Sequence, residues 1–204
     1  ARLVERRSTH PLLPLWVLRH RVRAGSYIVL LALAAALFGA FFFQTQLLQE
    51  VLGFSPLEAG LGFLPTSIGI ILVSGAAAQL VSRVGVRVLA TSGTAITALA
   101  LLWFAQIDET GTYLGDLLPG FLLIGIGIGF SFVPISIAAL AGVQPAEAGL
   151  ASGLINTSQQ VGGALGIAAL STIATSQTSD AVASGAALPD ALVDGFTAAF
   201  LAGV

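Results

Sequence analysis

The sequence predicts an all-α polytopic membrane protein, and three observations carry that prediction. Of the 204 residues, 56% are hydrophobic and 9% are charged, against about a quarter charged in soluble domains. The apolar residues gather into five long runs, each reaching the roughly 20 residues that a helix needs to cross a hydrocarbon core about 30 Å thick. All 8 cationic side chains are arginines, confined to residues 2–23 and to Arg83 and Arg87.

Residues 1–26 form a basic segment in which Pro11 and Pro14 precede Leu15-Trp16-Val17-Leu18 and then Arg19, His20, Arg21 and Arg23. Two readings stand here: an interfacial stretch with Trp16 at headgroup depth, and a basic loop that only sets topology. The prolines and arginines leave no short apolar core of the kind that a signal peptide requires. The first span is expected over 27–49. A second, 59–82, follows Ser55-Pro56-Leu57-Glu58, where proline at the first helical position and an acid at the third make a standard helix start. The third is expected over 88–107, and the fourth, 117–141, contains Gly125, Gly127 and Gly129. The fifth covers 149–175, and the Ser/Ala/Gly-rich stretch 176–194 reads as a loop. A sixth apolar segment begins at Gly195 and reaches Val204 before it is long enough to span. With no methionine in the chain, this predicts a piece of a longer polypeptide.

Cytoplasmic loops carry the excess of arginine, so the N-terminal segment is expected inside and each span reverses the side. Arg83 and Arg87 then return inside. Glu50, Glu58, Asp108, Glu109, Asp116, Asp180, Asp190 and Asp194 fall outside, with Glu5 and Glu147 as inner acids. An internal repeat adds to this map. Ser55-Pro56-Leu57-Glu58-Ala59-Gly60-Leu61 pairs with Gln144-Pro145-Ala146-Glu147-Ala148-Gly149-Leu150, and the same ungapped register pairs Gly53 with Gly142, Phe43 with Phe132 and Phe41 with Phe130. Convergence on a helix start accounts for the proline and the acid but not for the upstream pairs; duplication accounts for both. The copies lie on opposite sides, so 27–107 and 108–204 are expected to be three-helix units of inverted topology, a construction common among secondary transporters.

Several chemistries lack their residues. The chain has no cysteine, and its histidines, His10 and His20, precede the spans, which leaves little for metal or nucleophilic catalysis. No carboxylate lies mid-span, so an intramembrane enzyme is not expected. Gly125-Ile126-Gly127-Ile128-Gly129 lies inside an apolar run with no preceding strand, which removes the context of a phosphate-binding loop. The expected partners are the bilayer and lipophilic small molecules, not nucleic acid.

Polar and aromatic residues inside the spans are the candidates for a site. Gly149, Gly153, Asn156, Gln160 and Gly163 recur on one helical face of the fifth span. Gly149 with Gly153 and Gly162 with Gly166 permit close backbone approach, so Asn156 and Gln160 read either as packing contacts or as substrate contacts. On the first span Phe41, Gln44 and Leu48 share a face, and the fourth contributes Phe130, Ser131, Phe132 and Pro134. Aromatic faces with a few amides suit lipophilic and cationic ligands. The same rings also suit packing or lipid contact.

The run 47–61, the segment Ser82-Arg83-Val84-Gly85-Val86-Arg87 and the run 148–157 together resemble the fourteen-helix drug:proton antiporters of the major facilitator superfamily, the EmrB/QacA type. The similarity covers nearly the whole chain. It implies that these spans are helices nine to fourteen, the C-terminal six-helix bundle, with the last helix incomplete. It also implies alternating access against an N-terminal half, export of small molecules across a bacterial plasma membrane, and proton motive force rather than a cofactor. In that fold the first span of each triplet lines the central cavity, which makes Phe41, Gln44, Phe130, Ser131 and Phe132 the cavity candidates, joined by Asn156 and Gln160. Of the family's loop signature, Arg83, Gly85 and Arg87 are kept, while Ala78 replaces its first glycine and Ser82 its acid. Gating contacts and topological anchoring both remain open for the arginines. With no mid-span acid, the proton-carrying group is expected in the other half and this piece alone is expected to be inactive. A non-transporting scaffold or sensor is the alternative.

Overall fold

The computed structural model describes residues 21–107 and 111–204. The readings of Trp16, His10, His20, Glu5, Asp108 and Glu109 lie outside the described residues, which contain helices and no strand.

Helix α1 (Arg21–Gln46) is built mainly of Ala, Leu and Phe, and a π-helical turn, Leu47–Val51, extends it to 31 continuous residues. Gly53, at φ +69°, turns the chain out of the helix, and the Phe54 N–H donates to the Leu48 carbonyl at 2.9 Å. The next helix starts where the sequence says it should. Ser55 Oγ accepts the Glu58 N–H at 3.3 Å while the Glu58 carboxylate accepts the Ser55 N–H at 2.8 Å, so two otherwise orphaned amides at the start of α2 (Pro56–Gly62) are satisfied. Across Phe63 the chain continues as α3 (Leu64–Val84).

A single residue, Gly85, joins α3 to α4 (Val86–Phe104), at φ +88° and ψ 152°. The expected inner loop is thereby reduced to one glycine, with Arg83 in the last turn of α3 and Arg87 in the first turn of α4, both exposed. A side chain at Gly85 would meet no atom within 4 Å, so its cost is purely conformational. Gly85→Ala is expected to destabilise the bundle by about 1–3 kcal/mol. A lowered unfolding midpoint in mixed detergent–SDS micelles checks this; an unchanged midpoint would mean that the backbone here relaxes freely.

The second half begins with a π-helical turn, Tyr113–Leu117, that leads into α5 (Leu118–Leu140), with Pro119 in the first turn and Pro134 inside the helix. Gly142 turns out of this end at φ +69°, the same angle as its repeat partner Gly53. Ser55 and Gln144, which precede the paired prolines, are both extended. The copies then diverge, because Gln144 makes no side-chain cap and a 3-10 turn, Pro145–Glu147, precedes α6 (Ala148–Ala183).

The stretch 176–194 is not the loop that its composition suggests. Helix α6 runs for 36 residues, about 54 Å at 1.5 Å per residue, and α7 (Leu188–Ala202) begins with proline in its first turn. Alanine, serine, threonine and glutamine are all tolerated in a helix, and no proline interrupts them before Pro189. The loop shrinks to residues 184–187. Four continuous lengths are long and apolar enough to cross a membrane: Arg21–Val51, Pro56–Val84, Val86–Phe104 and Tyr113–Leu140. Among the described residues α6 is the longest helix, but its Asn, Gln, Ser and Thr side chains keep it out of that set, so the fifth predicted span is a helix without being an apolar one.

The helices pack by exchange between the two triplets. Helix α1 lies chiefly against α6, and α5 lies against α3 and α4. Thus the first helix of each triplet is seated on the second helix of the other. Glycines make these contacts close: Gly162 and Gly166 of α6 lie against the Leu31 and Ala35 carbonyls of α1. The Gly125–Gly129 run is a wedge between two helices. A Cβ at Gly125 would sit 2.7 Å from the Thr66 carbonyl of α3, and one at Gly127 would sit 2.9 Å from the Gly93 carbonyl of α4. Gly149 and Gly153, by contrast, have nothing within 4 Å among the described residues, where of the two small-residue pairs only Gly162–Gly166 carries a close approach.

Two cores result. The one near the acidic end is aromatic, with rings in series: Phe41–Phe63 at 5.3 Å, Phe63–Phe121 at 5.1 Å, Phe104–Phe121 at 5.3 Å and Phe104–Phe200 at 5.6 Å between centroids. The one near the arginines is smaller and holds Tyr27, Leu30, Leu33, Ile135 and Ala139. Each end also carries a clamp between triplets. Arg23, at the start of α1, donates to the Gly142 carbonyl at 3.4 Å. Tyr113, at the start of the fourth span, donates its hydroxyl to the Gly62 carbonyl at 2.9 Å, and its ring lies 6.3 Å from Phe54.

Candidate functional site

A cavity of about 510 Å³ opens at mid-depth, lined by Leu30, Leu33, Ala34, Leu37, Phe38 and Phe41 of α1, Ile70 of α3, Ile128 and Phe132 of α5, and Gln159 of α6. These helices are the first and second spans of both triplets, whereas α4 and α7 contribute nothing. The α1 positions fall at i, i+3, i+4, i+7, i+8 and i+11, a single helical face. Among the described residues one lining side chain is polar and none is charged, so a ligand held here is selected by apolar contact and shape, with the Gln159 amide as the orienting group.

Of the seven residues expected at the cavity from sequence, the structure brings Phe41 and Phe132 together in its wall. Gln44 lies elsewhere. It is fully buried, flanked by Phe43, Leu47 and Leu48 of the aromatic core, and neither its Oε1 nor its Nε2 has a hydrogen-bond partner among the described residues. Ser131 is also fully buried, pressed against Gly93 of α4 with its Oγ unpartnered. Phe130 is half-buried and outside the wall, and Asn156 and Gln160 are exposed on the far side of α6. The residue from α6 that reaches the cavity is Gln159, one position before Gln160. The signal for it was available: Ala151, Gly162, Gly163 and Gly166 form the buried face of α6, and Gln159 lies eight residues after the first and four before Gly163, on the edge of that face. Arg83, Gly85 and Arg87 sit at the arginine end, where the cavity does not reach.

The sequence pattern of the Major Facilitator Superfamily matches residues 3–167. The puromycin resistance protein pur8 of Streptomyces alboniger is 44% identical over 196 residues, which cover 95% of this chain and 39% of that protein. The cephamycin export protein CmcT of Amycolatopsis lactamdurans is 41% identical over 157 residues, covering 76% of this chain and 32% of the relative. For the lincomycin resistance protein of Streptomyces lincolnensis the identity is 38% over 165 residues, with 81% and 34% covered. The chain therefore spans between 32% and 39% of the length of these curated relatives. With most of its length matched by the family pattern and four helical lengths long and apolar enough to cross a membrane, the chain belongs to the Major Facilitator Superfamily.

Proposed function

We propose that the chain is the C-terminal six-helix half of a fourteen-helix exporter, which carries lipophilic small molecules out across a bacterial plasma membrane on the proton motive force and needs no cofactor. The observation that carries this reading is the midplane cavity, whose wall is apolar but for Gln159 and draws on the first two helices of each triplet. The exchange packing and the paired φ of Gly53 and Gly142 support an inverted duplication within it. Relatives named for puromycin resistance, cephamycin export and lincomycin resistance fit a transporter of such compounds rather than an enzyme.

In this reading the N-terminal half is the principal partner. Asn156 and Gln160 are exposed on α6, and Gly149 and Gly153 beside them have nothing within 4 Å. Polar side chains at membrane depth are stable where protein or a watered cavity covers them, and the missing half supplies that cover, while Ile68, Ile71 and Leu72 of α3 face the bilayer. Arg83 and Arg87, flanking the one-residue Gly85 joint, contact that half as gating residues. Among the described residues the cavity wall contains no carboxylate, which favours a proton carrier in the rest of the parent and an inactive chain on its own.

The parent expressed in an efflux-deficient bacterium tests the proposal. Phe41→Ala and Phe132→Ala are each expected to cut efflux of a lipophilic dye about fivefold, the loss of roughly 1 kcal/mol of aromatic contact, at unchanged membrane abundance. A protonophore is expected to abolish wild-type efflux. Wild-type rates in both variants across several dyes would overturn the site, and no efflux by the parent at all would favour a scaffold or sensor.

A further inference from the structure

A second cavity, of about 480 Å³, opens near the acidic end between α1, α6 and α7, and its chemistry differs from that of the first. Glu50 and Gln46 enter from the end of α1, and Ser171, Thr175, Thr178 and Ser179 from one face of α6. Phe42, Phe43 and Phe196 supply ring surface, with Phe43 and Phe196 centroids 5.6 Å apart and Phe42 edge-on to Phe43 at 5.2 Å. A helical hydroxyl commonly donates to the carbonyl four residues back, as Thr172 does to Ala168 at 2.8 Å. The four hydroxyls in the cavity make no such bond among the described residues, and Glu50 makes no ion pair there.

We propose that this cavity is a binding site for an organic ammonium ion, distinct from the midplane cavity. Three properties select that class. Among the described residues Glu50 is the one acidic group in the wall, which matches a monovalent rather than a divalent cation. Ring faces attract cations through their quadrupoles and at the same time cover an apolar substituent. The unspent hydroxyls and the Gln46 amide supply neutral oxygens for N–H or N–CH groups. A bare divalent ion is not matched, because it wants six or more close oxygens and usually several carboxylates, whereas here one carboxylate serves a volume of about 480 Å³. The ammonium can belong to a free molecule or to a phosphatidylethanolamine headgroup at the membrane surface. The site stands independently of the export proposed above, because binding rather than transport reads it out.

The absence of cysteine from the chain makes the test direct. The full-length parent, with any cysteine outside this chain replaced, carries Thr175→Cys in phosphatidylglycerol nanodiscs, where both faces are accessible. Modification rates are measured with a trimethylammonium and a sulfonate methanethiosulfonate, and Ser184→Cys, in the turn beyond the cavity, supplies the reference for membrane surface charge. Glu50 is expected to raise the cation-to-anion rate ratio at Thr175→Cys about tenfold over the reference, the scale of one nearby charge at the protein surface. Adding Glu50→Gln is expected to remove that preference, while Glu58→Gln leaves it. Tetraethylammonium slowing the reaction only when Glu50 is present supports a free cation, and slowing by phosphatidylethanolamine alone supports the headgroup. A ratio unmoved by Glu50→Gln, or no slowing by either ammonium, overturns the proposal; both altered positions are exposed, so neither variant removes packing.

Discussion

Gly166→Ala is expected to destabilise the bundle by about 1–3 kcal/mol, the usual range for forcing volume into a packed interface. The position tolerates no side chain, because a Cβ there would collide with the Ala35 backbone of α1. Neither partner can yield by changing a rotamer, since the obstacle is a carbonyl and a Cα in the middle of a helix. The result is expected to be a forced separation of α1 from α6, one of the contacts that tie the first triplet to the second. Gly153→Ala is the matched control on the same helix. It meets nothing within 4 Å, so in this chain it should be neutral or stabilising by up to about 1 kcal/mol, the difference in helix propensity. Unfolding of both variants in mixed micelles, followed by far-UV circular dichroism, separates the two cases. Equal midpoints would mean that α1 and α6 do not touch at Gly166.

Gln44→Leu carries the opposite sign. Both polar atoms of the Gln44 amide are buried without a partner, and an unsatisfied buried amide costs about 1–3 kcal/mol. Leucine occupies similar space among Phe43, Leu47 and Leu48 without that cost, so the variant is expected to gain stability of that order. A lower midpoint would show that the amide is hydrogen-bonded after all. If the same substitution in the parent raises stability and lowers efflux, the amide is held in reserve for another state of the transport cycle, in which the aromatic core around it opens.

The helices were legible in the sequence because their ends are written chemically. Pro56 and Pro145 mark starts, Ser55 and Glu58 cap one of them, and Gly53 and Gly142 mark the turns before them. What lines the cavity was harder to read. Between Ile28 and Phe43 helix α1 is apolar on every side, so the contrast that normally reveals a buried face is erased, and Leu30, Leu37 and Phe38 look like any lipid-facing residue. Gln44 stood out in that helix because it is polar, and the structure places it buried in the aromatic core, outside the cavity wall. On α6 the reading followed the exposed stripe of Gly153, Asn156 and Gln160 instead of the buried one, a rotation of a single residue that passed over Gln159. Composition likewise hid the last two turns of α6, since serine and alanine are as common in loops as they are acceptable in helices.

The two clamps between triplets are built from different materials, yet burial makes them alike toward the medium. At one end the tie is a guanidinium, Arg23 on the Gly142 carbonyl; at the other it is a neutral phenol, Tyr113 on the Gly62 carbonyl. Arg23 is only 7% exposed, so salt screens its contact weakly, and a phenol offers salt no charge to act on. Both ends of the bundle are therefore held by ties that the ionic strength outside barely reaches, and a change of salt leaves the two triplets in the same balance.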